Sequence, residues 1–201
     1  YCSLGINVDI NYTVAHTAKT VIVQINPTMP FTNGNSCLKF EDIDYFLVQK
    51  EPLMEYNQYI LKSKEETHIF EKIGEYVVRL IDNGSTLNLG LGKLIPTIWK
   101  YLKQRKHLAI YSEILILTDE FIELITKGII NCEKNYYPHI MTSFVLGKDH
   151  HYQFLNQNPF FEFHPLEYIT NIFNIAKNKN LISIYSAIAV DLCGNITNHL
   201  N

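Results

Sequence analysis

The hydrophobic positions of this chain come in short runs of changing period, and each change of period marks a change of element. Residues 87–113, LNLGLGKLIPTIWKYLKQRKHLAIYSE, hold the densest series of such changes: strand, glycine loop, helix, strand and then a glutamate. Around this stretch the pattern predicts strands at 85–89, 108–112, 140–146 and 181–190. The last is the longest continuous apolar run and reads as a central parallel strand. Upstream, 20–26 (TVIVQIN) reads as a buried strand, the prolines and Asn-Gly of 27–36 force a turn, and 40–48 is a short strand or a helical turn before Pro52.

Helical spacing fills the intervals. Ser63 and Glu66 form a capping box ahead of Ile69, Ile73, Val77 and Ile81, which repeat on one helical face until Asp82-Asn83-Gly84 stops the helix at 64–81. Pro96 suits a helix start, where a missing N–H goes unnoticed, and Lys103, Arg105 and Lys106 suit the negative end of that helix's dipole. Thr118, with Asp119 and Glu120 behind it, caps a helix that ends at Gly128. Residues 152–158 form a short helix or turn before Pro159, and Leu166, Ile169, Phe173 and Ala176 mark a helix over 166–177. Strand and helix alternate at least three times, so the predicted fold is α/β: an open, mainly parallel sheet with helices on both faces.

Composition narrows the partners. With 201 residues, 47% hydrophobic and 18% charged, the chain is long enough for one good core or two small ones. A net charge of −3, with 17 basic residues spread along the sequence, gives no reason to expect nucleic acid or an anionic membrane surface. No apolar run approaches the ~18 residues of a membrane span. Cys2, Cys37, Cys132 and Cys193 form no CxxC pair, so neither zinc nor a redox motif is indicated, and reduced thiols in a cytosol are expected. The sequons beginning at Asn11, Asn83 and Asn195 follow no signal peptide and are read as accidental. A first residue Tyr1 and a last residue Asn201 just after a strand-like run lead us to expect a piece of a longer polypeptide.

The candidate chemistry sits where the two strands of 87–113 end. Side by side in a parallel sheet, they bring the Gly90 loop and Glu113 to the sheet's carboxyl edge, where open α/β sheets bind ligands. Gly90-Leu91-Gly92 is no dinucleotide fingerprint, because the third glycine's position is Ile95, and no GxxxxGK[ST] occurs; a tight strand-to-helix turn is the plain alternative. By position alone Glu113 reads as a surface glutamate after a strand, but it interrupts an otherwise apolar run, and a charge there is costly unless it is paired or functional. His139, His150, His151 and His164 lack metal-ligand spacing, so no metal is expected, and Ser143 and Ser186 have no His/Asp signature nearby.

The order of motifs adds specificity. NPTMPFTNG, DNGSTLNLGLGKLIP, IYSE, SFVLG, NQNPFFEF and ISIYSAIAVDLCGN closely resemble the acetyl-CoA hydrolase/CoA-transferase family, in the family's order and over nearly the whole chain. The resemblance implies two related α/β domains: residues 1–55 as the end of the first, 56–63 as linker, and 64–201 as the front of the second. It implies Glu113 as nucleophile, and Gly90, Gly92, Lys93, Pro96 and Gly147 as residues around coenzyme A, which arrives as acyl-CoA substrate rather than as a tightly bound cofactor.

The implied partners are an acyl-CoA and a small carboxylic acid, with a second copy of the chain as a candidate partner. The implied location is the cytoplasm, or a mitochondrion if preceding residues carry a transit peptide. Transfer to water instead of an acid makes a hydrolase, and a non-catalytic remnant of the fold is a further reading. The chain departs from the family at Tyr111, where a histidine is usual, and at Tyr185, where the family has asparagine. The family's GGxGGQ segment falls beyond Asn201.

Overall fold

The computed structural model describes residues 1–56 and 64–197. The capping box expected at Ser63, and most of the linker expected at 56–63, lie outside the described residues. The N-terminal part holds β1 (Cys2–Ser3), α1 (Asn11–Thr17), β2 (Ile22–Ile25), β3 (Asn33–Gly34), β4 (Cys37–Leu38) and β5 (Tyr45–Val48). There follow α2 (Lys64–Arg79), β6 (Thr86–Leu89), α3 (Leu94–Tyr101), β7 (Ala109–Ile116), α4 (Asp119–Thr126), β8 (Ile140–Leu146) and α5 (Asp149–Leu155). The remainder is β9 (Phe161–Phe163), α6 (Leu166–Ile169), α7 (Ile172–Ile175), β10 (Leu181–Ile184), β11 (Ala189–Val190) and β12 (Ile196–Thr197).

Six strands form the central sheet in the order β10-β6-β7-β8-β9-β3, and every neighbouring pair is parallel. The α/β expectation holds, with helices on both faces. One face carries the large core, in which Leu87, Ile110, Ile98, Trp99, Phe121 and Leu124 are fully buried beneath α3 and α4. Each such side chain contributes roughly 1.5–3 kcal/mol by leaving water. The other face carries a smaller cluster of Tyr111, Tyr137, Met141 and Ile169 under α6. The helix ends follow the sequence signals: the Thr118 hydroxyl accepts from Phe121 N–H at 3.2 Å, and Gly128 takes a φ of +68° just past α4.

Five expectations need correction. The strand at 108–112 runs on to Ile116, because the apolar residues after Glu113 keep pairing with β8. Glu113 therefore stands inside β7 and not at its end. The run at 181–190 is no central strand: β10 stops at Ile184 on the edge of the sheet, and Ala189 and Val190 belong to an exposed hairpin with β12. The segment 20–26 gives β2, paired only with β5, and Ile22, Tyr45, Phe46 and Val48 are all more than half exposed, so it is not buried. On α2, Ile69 and Ile73 face outward, whereas Phe70, Val77 and Val78 join the core. Gly74 explains that rotation, since a Cβ there would stand 3.2 Å from the Thr97 methyl and 3.3 Å from the Tyr101 ring. The absence of a side chain lets α2 settle on α3 along that line. The helix expected over 166–177 is broken at Thr170 and Asn171 into α6 and α7, with the Asn171 side chain capping the second.

Residues near the N-terminus also hold the sheet. Gly34 of β3 approaches β9 so closely that a Cβ would be 2.4 Å from the Phe163 carbonyl oxygen. Beyond the end of β9, Ile6 and Val8 take its place beside β8, with Val145 N–H donating to Ile6 O at 2.9 Å and Val8 N–H donating to Ser143 O at 3.0 Å.

Candidate active site

The site begins where two strands part. The β6–β7 ladder pairs Thr86 with Ala109 and Leu87 with Ile110 and then stops. There the Ser112 hydroxyl replaces the ladder: its oxygen accepts from Leu89 N–H at 3.2 Å and lies 2.9 Å from the Leu89 carbonyl oxygen. β6 then leaves into the Gly90 loop while β7 continues beside β8. The next side chain on β7 is Glu113, so it faces the opening that Ser112 props apart. The Gly90 loop and Glu113 are thus brought together, as the parallel-sheet reading expected, although β7 does not end there.

Register fixes which side chains share the face with Glu113. Parallel partners point to the same side and alternate residues return to it. Thr86 and Ala109 are partners, as are Tyr111 and Met141, so Asn88, Tyr111, Glu113 and Ser143 lie on one face. Glu113 is half-buried, and among the described residues its carboxylate makes no hydrogen bond and no ion pair. The hydroxyl of Ser143, fully buried, has no partner either. Unpaired buried polar groups are rare enough to need a reason.

Tyr185 closes the opening from the β10 side. Ile184 pairs with Leu89, and Gly90 N–H donates to Ile184 O at 3.0 Å, which sets Tyr185 beside Gly90. Its ring lies over that glycine, where an added Cβ would be 2.6 Å from Cδ1. Its hydroxyl donates to Asn88 Oδ1 at 2.7 Å. Burial, and then the negative charge of Glu113, raise the Tyr185 pKa, so the phenol stays protonated. Gly92 takes a φ of +145°, in the region that favours glycine, and a Cβ there would stand 3.2 Å from Ser186 Oγ. The bare loop therefore lies against the turn that follows β10.

The other candidates sit further off. Lys93 Nζ is held by Glu66 Oε1 of α2 at 2.5 Å. Pro96 is in the first turn of α3, partly exposed. Gly147 follows β8, four residues beyond Ser143 and so about 13 Å along the strand. Its N–H donates to the Tyr152 hydroxyl and its carbonyl accepts from Tyr56 N–H, so protein already occupies both groups. Tyr111 is fully buried, its hydroxyl donates to Ile169 O at 3.0 Å, and burial raises its pKa, which suits an anchor for α6 rather than an acid or base.

Asn88 was missed by sequence reasoning. The available signal was the alternation in STLNL, which puts Thr86 and Asn88 on one face of the strand. Asp119, His150 and His151 also converge, with ligand atoms within 4.8 Å of one another. Lys148 N–H donates to His151 Nδ1 at 3.1 Å, so the proton is on Nε2, which donates to Asp119 Oδ1 at 3.1 Å. That tautomer leaves His151 no free lone pair for a cation. Hydrogen bonds from His150 and His151 hold the Asp119 carboxyl below its ordinary range.

Comparison with known proteins sets a family beside this geometry, a glutamate next to a glycine loop at the opening of a parallel sheet. The chain is 37% identical over 198 residues to a 4-hydroxybutyrate coenzyme A transferase of Clostridium kluyveri, covering 98% of this chain and 44% of that protein. It is 33% identical to a succinyl-CoA:cyclohexane-1-carboxylate CoA transferase of Geobacter metallireducens, covering 96% of this chain and 43% of that one. The family described as acetyl-CoA hydrolase/transferase C-terminal domain matches residues 147–200. The chain belongs to the acetyl-CoA hydrolase/CoA-transferase family.

As a family member it also superposes on solved structures. A 4-hydroxybutyrate CoA-transferase from Porphyromonas gingivalis matches with a TM-score of 0.87 and 31% identity, over 96% of this chain and 48% of that one. RipA from Yersinia pestis matches with a TM-score of 0.88 and 25% identity, over 98% of this chain and 45% of that one. The chain thus spans less than half the length of the CoA-transferases it matches.

Proposed function

We propose that the whole protein is an acyl-CoA:carboxylate CoA-transferase, of the acetate or 4-hydroxybutyrate type, in which Glu113 carries coenzyme A as a thioester. The observation that supports this most is the half-buried, unpartnered Glu113 carboxylate facing the gap between β6 and β7. A carboxylate is already nucleophilic at neutral pH and needs no base. Its oxygen attacks the thioester carbonyl, the C–S bond breaks, and CoA leaves as thiolate, giving a mixed anhydride. The thiolate then attacks the glutamyl carbonyl, releasing the first acid and leaving glutamyl-CoA. The acceptor carboxylate repeats these steps in reverse, so acid and thioester exchange with no net redox change.

A hydrolase is the second reading, favoured by the shared family description; water then takes the place of the acceptor acid. Incubation of the full polypeptide with acyl-CoA followed by borohydride should inactivate it through reduction of the glutamyl thioester. Glu113→Gln should form no adduct and show no transfer; full turnover by that variant would overturn the assignment. An acyl-CoA loss rate independent of added carboxylic acid would select the hydrolase.

A further inference from the structure

We infer that Asn88 donates a hydrogen bond to the oxygen of the acyl group under attack by Glu113, and that Tyr185 is the positioning residue that aims it. The inference rests on the reading of Glu113 as nucleophile and adds a donor to it.

Asn88 is an amide in a strand whose neighbours Leu87 and Leu89 are buried in the core, and it is itself 9% exposed. It lies on the same face as Glu113, one strand away. The side-chain oxygen is taken: Tyr185 donates its phenol proton to Oδ1 at 2.7 Å. An amide has one acceptor end and one donor end, so occupying Oδ1 settles which way the NH2 points. Among the described residues nothing accepts from that NH2. That NH2 is not sealed off from solvent, so a visitor can reach it, and it stands on the same face as a carboxylate that is also unpaired. The pair is complementary to one kind of visitor: a carbonyl whose carbon meets Glu113 while its oxygen accepts from Asn88.

The phenol of Tyr185 can reach Asn88 only because Gly90 between them has no side chain, since a Cβ there would stand 2.6 Å from the ring. Gly90, Tyr185 and Asn88 therefore act as one device. As negative charge grows on the acyl oxygen, the fixed N–H dipole stabilises it without reorganisation.

The test is a kinetic cycle in the full polypeptide. Asn88→Ala should lower kcat about 10²-fold with little change in the KM for acyl-CoA, as for loss of one oxyanion donor. Tyr185→Phe keeps the ring, sits at a half-exposed position and should fold normally; it should lower kcat about tenfold, the worth of one hydrogen bond. In the Asn88→Ala background, Tyr185→Phe should have no further effect. An Asn88→Ala enzyme within about threefold of wild-type kcat, or a Tyr185→Phe effect of equal size in both backgrounds, would overturn the inference. If Asn88→Ala does not fold, wild-type kcat in Tyr185→Phe overturns it alone. Glu113→Gln run alongside separates the two claims: turnover there removes the nucleophile, whereas a dead Glu113→Gln beside a fully active Asn88→Ala removes only the donor.

Discussion

The ring of Tyr185 occupies the volume that a side chain at Gly90 would need, with Cδ1 2.6 Å from the position of a Cβ. The two residues are neighbours only because β10 lies against β6, and together they form one wall of the opening above Glu113.

Gly90→Ala should therefore act through Tyr185. The Gly90 backbone is not in the left-handed region, so the strain comes from the contact and not from φ. We expect a loss of roughly 1–2 kcal/mol, as for mild overpacking, with the half-exposed ring swinging outward. Adding Tyr185→Ala should restore most of the lost stability. Thermal melts of the two variants measure it, and equal melting temperatures would show that the contact is not the cause.

Trp99 offers a test of the main core. It is fully buried, its ring centroid is 4.8 Å from that of Phe121, and among the described residues its indole N–H has no partner. Trp99→Ala should lose about 3–5 kcal/mol in urea unfolding. Trp99→Phe should lose under about 2 kcal/mol, because removing the unpaired N–H offsets part of the lost volume.

The Thr118 hydroxyl caps α4 by accepting from Phe121 N–H. Thr118→Ala should lower unfolding free energy by about 1 kcal/mol, while Thr118→Ser should be close to wild type.

Stability should also fall on mild acidification. His164 is buried and stacked on Tyr168, and burial lowers its pKa below the ordinary 6.5 despite the nearby Glu162. The unfolded chain takes up the proton first, so stability is full above pH 6.5 and declines as pH falls from there to the folded-state pKa. His151 shifts the same way, with burial outweighing Asp119. His164→Phe, which keeps the stacking, should flatten part of this decline in melting temperature below about pH 6.5 and leave the share due to His151.

What could be read from the sequence was local. The Thr118 cap, the Gly128 stop and the pairing of the Gly90 loop with Glu113 all depend on residues close along the chain, and each appears in the structure. The misreadings depend on distant partners. Residues 181–190 are apolar enough for a buried strand, but only Leu181–Ile184 find a neighbour, β6, and the rest turn away. The outward face of α2 is set by Gly74 meeting Thr97 and Tyr101 on another helix. Asn88 and Tyr185 share a hydrogen bond that no spacing rule connects.

The strand order has a consequence for synthesis. Strands β6 to β9 are added to the sheet one after another in chain order, each beside the last, but β10 returns to the far side of β6, so that Leu181 meets Thr86. On a ribosome, where the N-terminal portion emerges first, the earlier strands can assemble while that flank of β6 is still bare. The wall over Gly90 and the partner of Asn88 arrive together, with Tyr185. A nascent chain halted before that residue has its Glu113 strand in place but the Asn88 amide still without its Tyr185 partner.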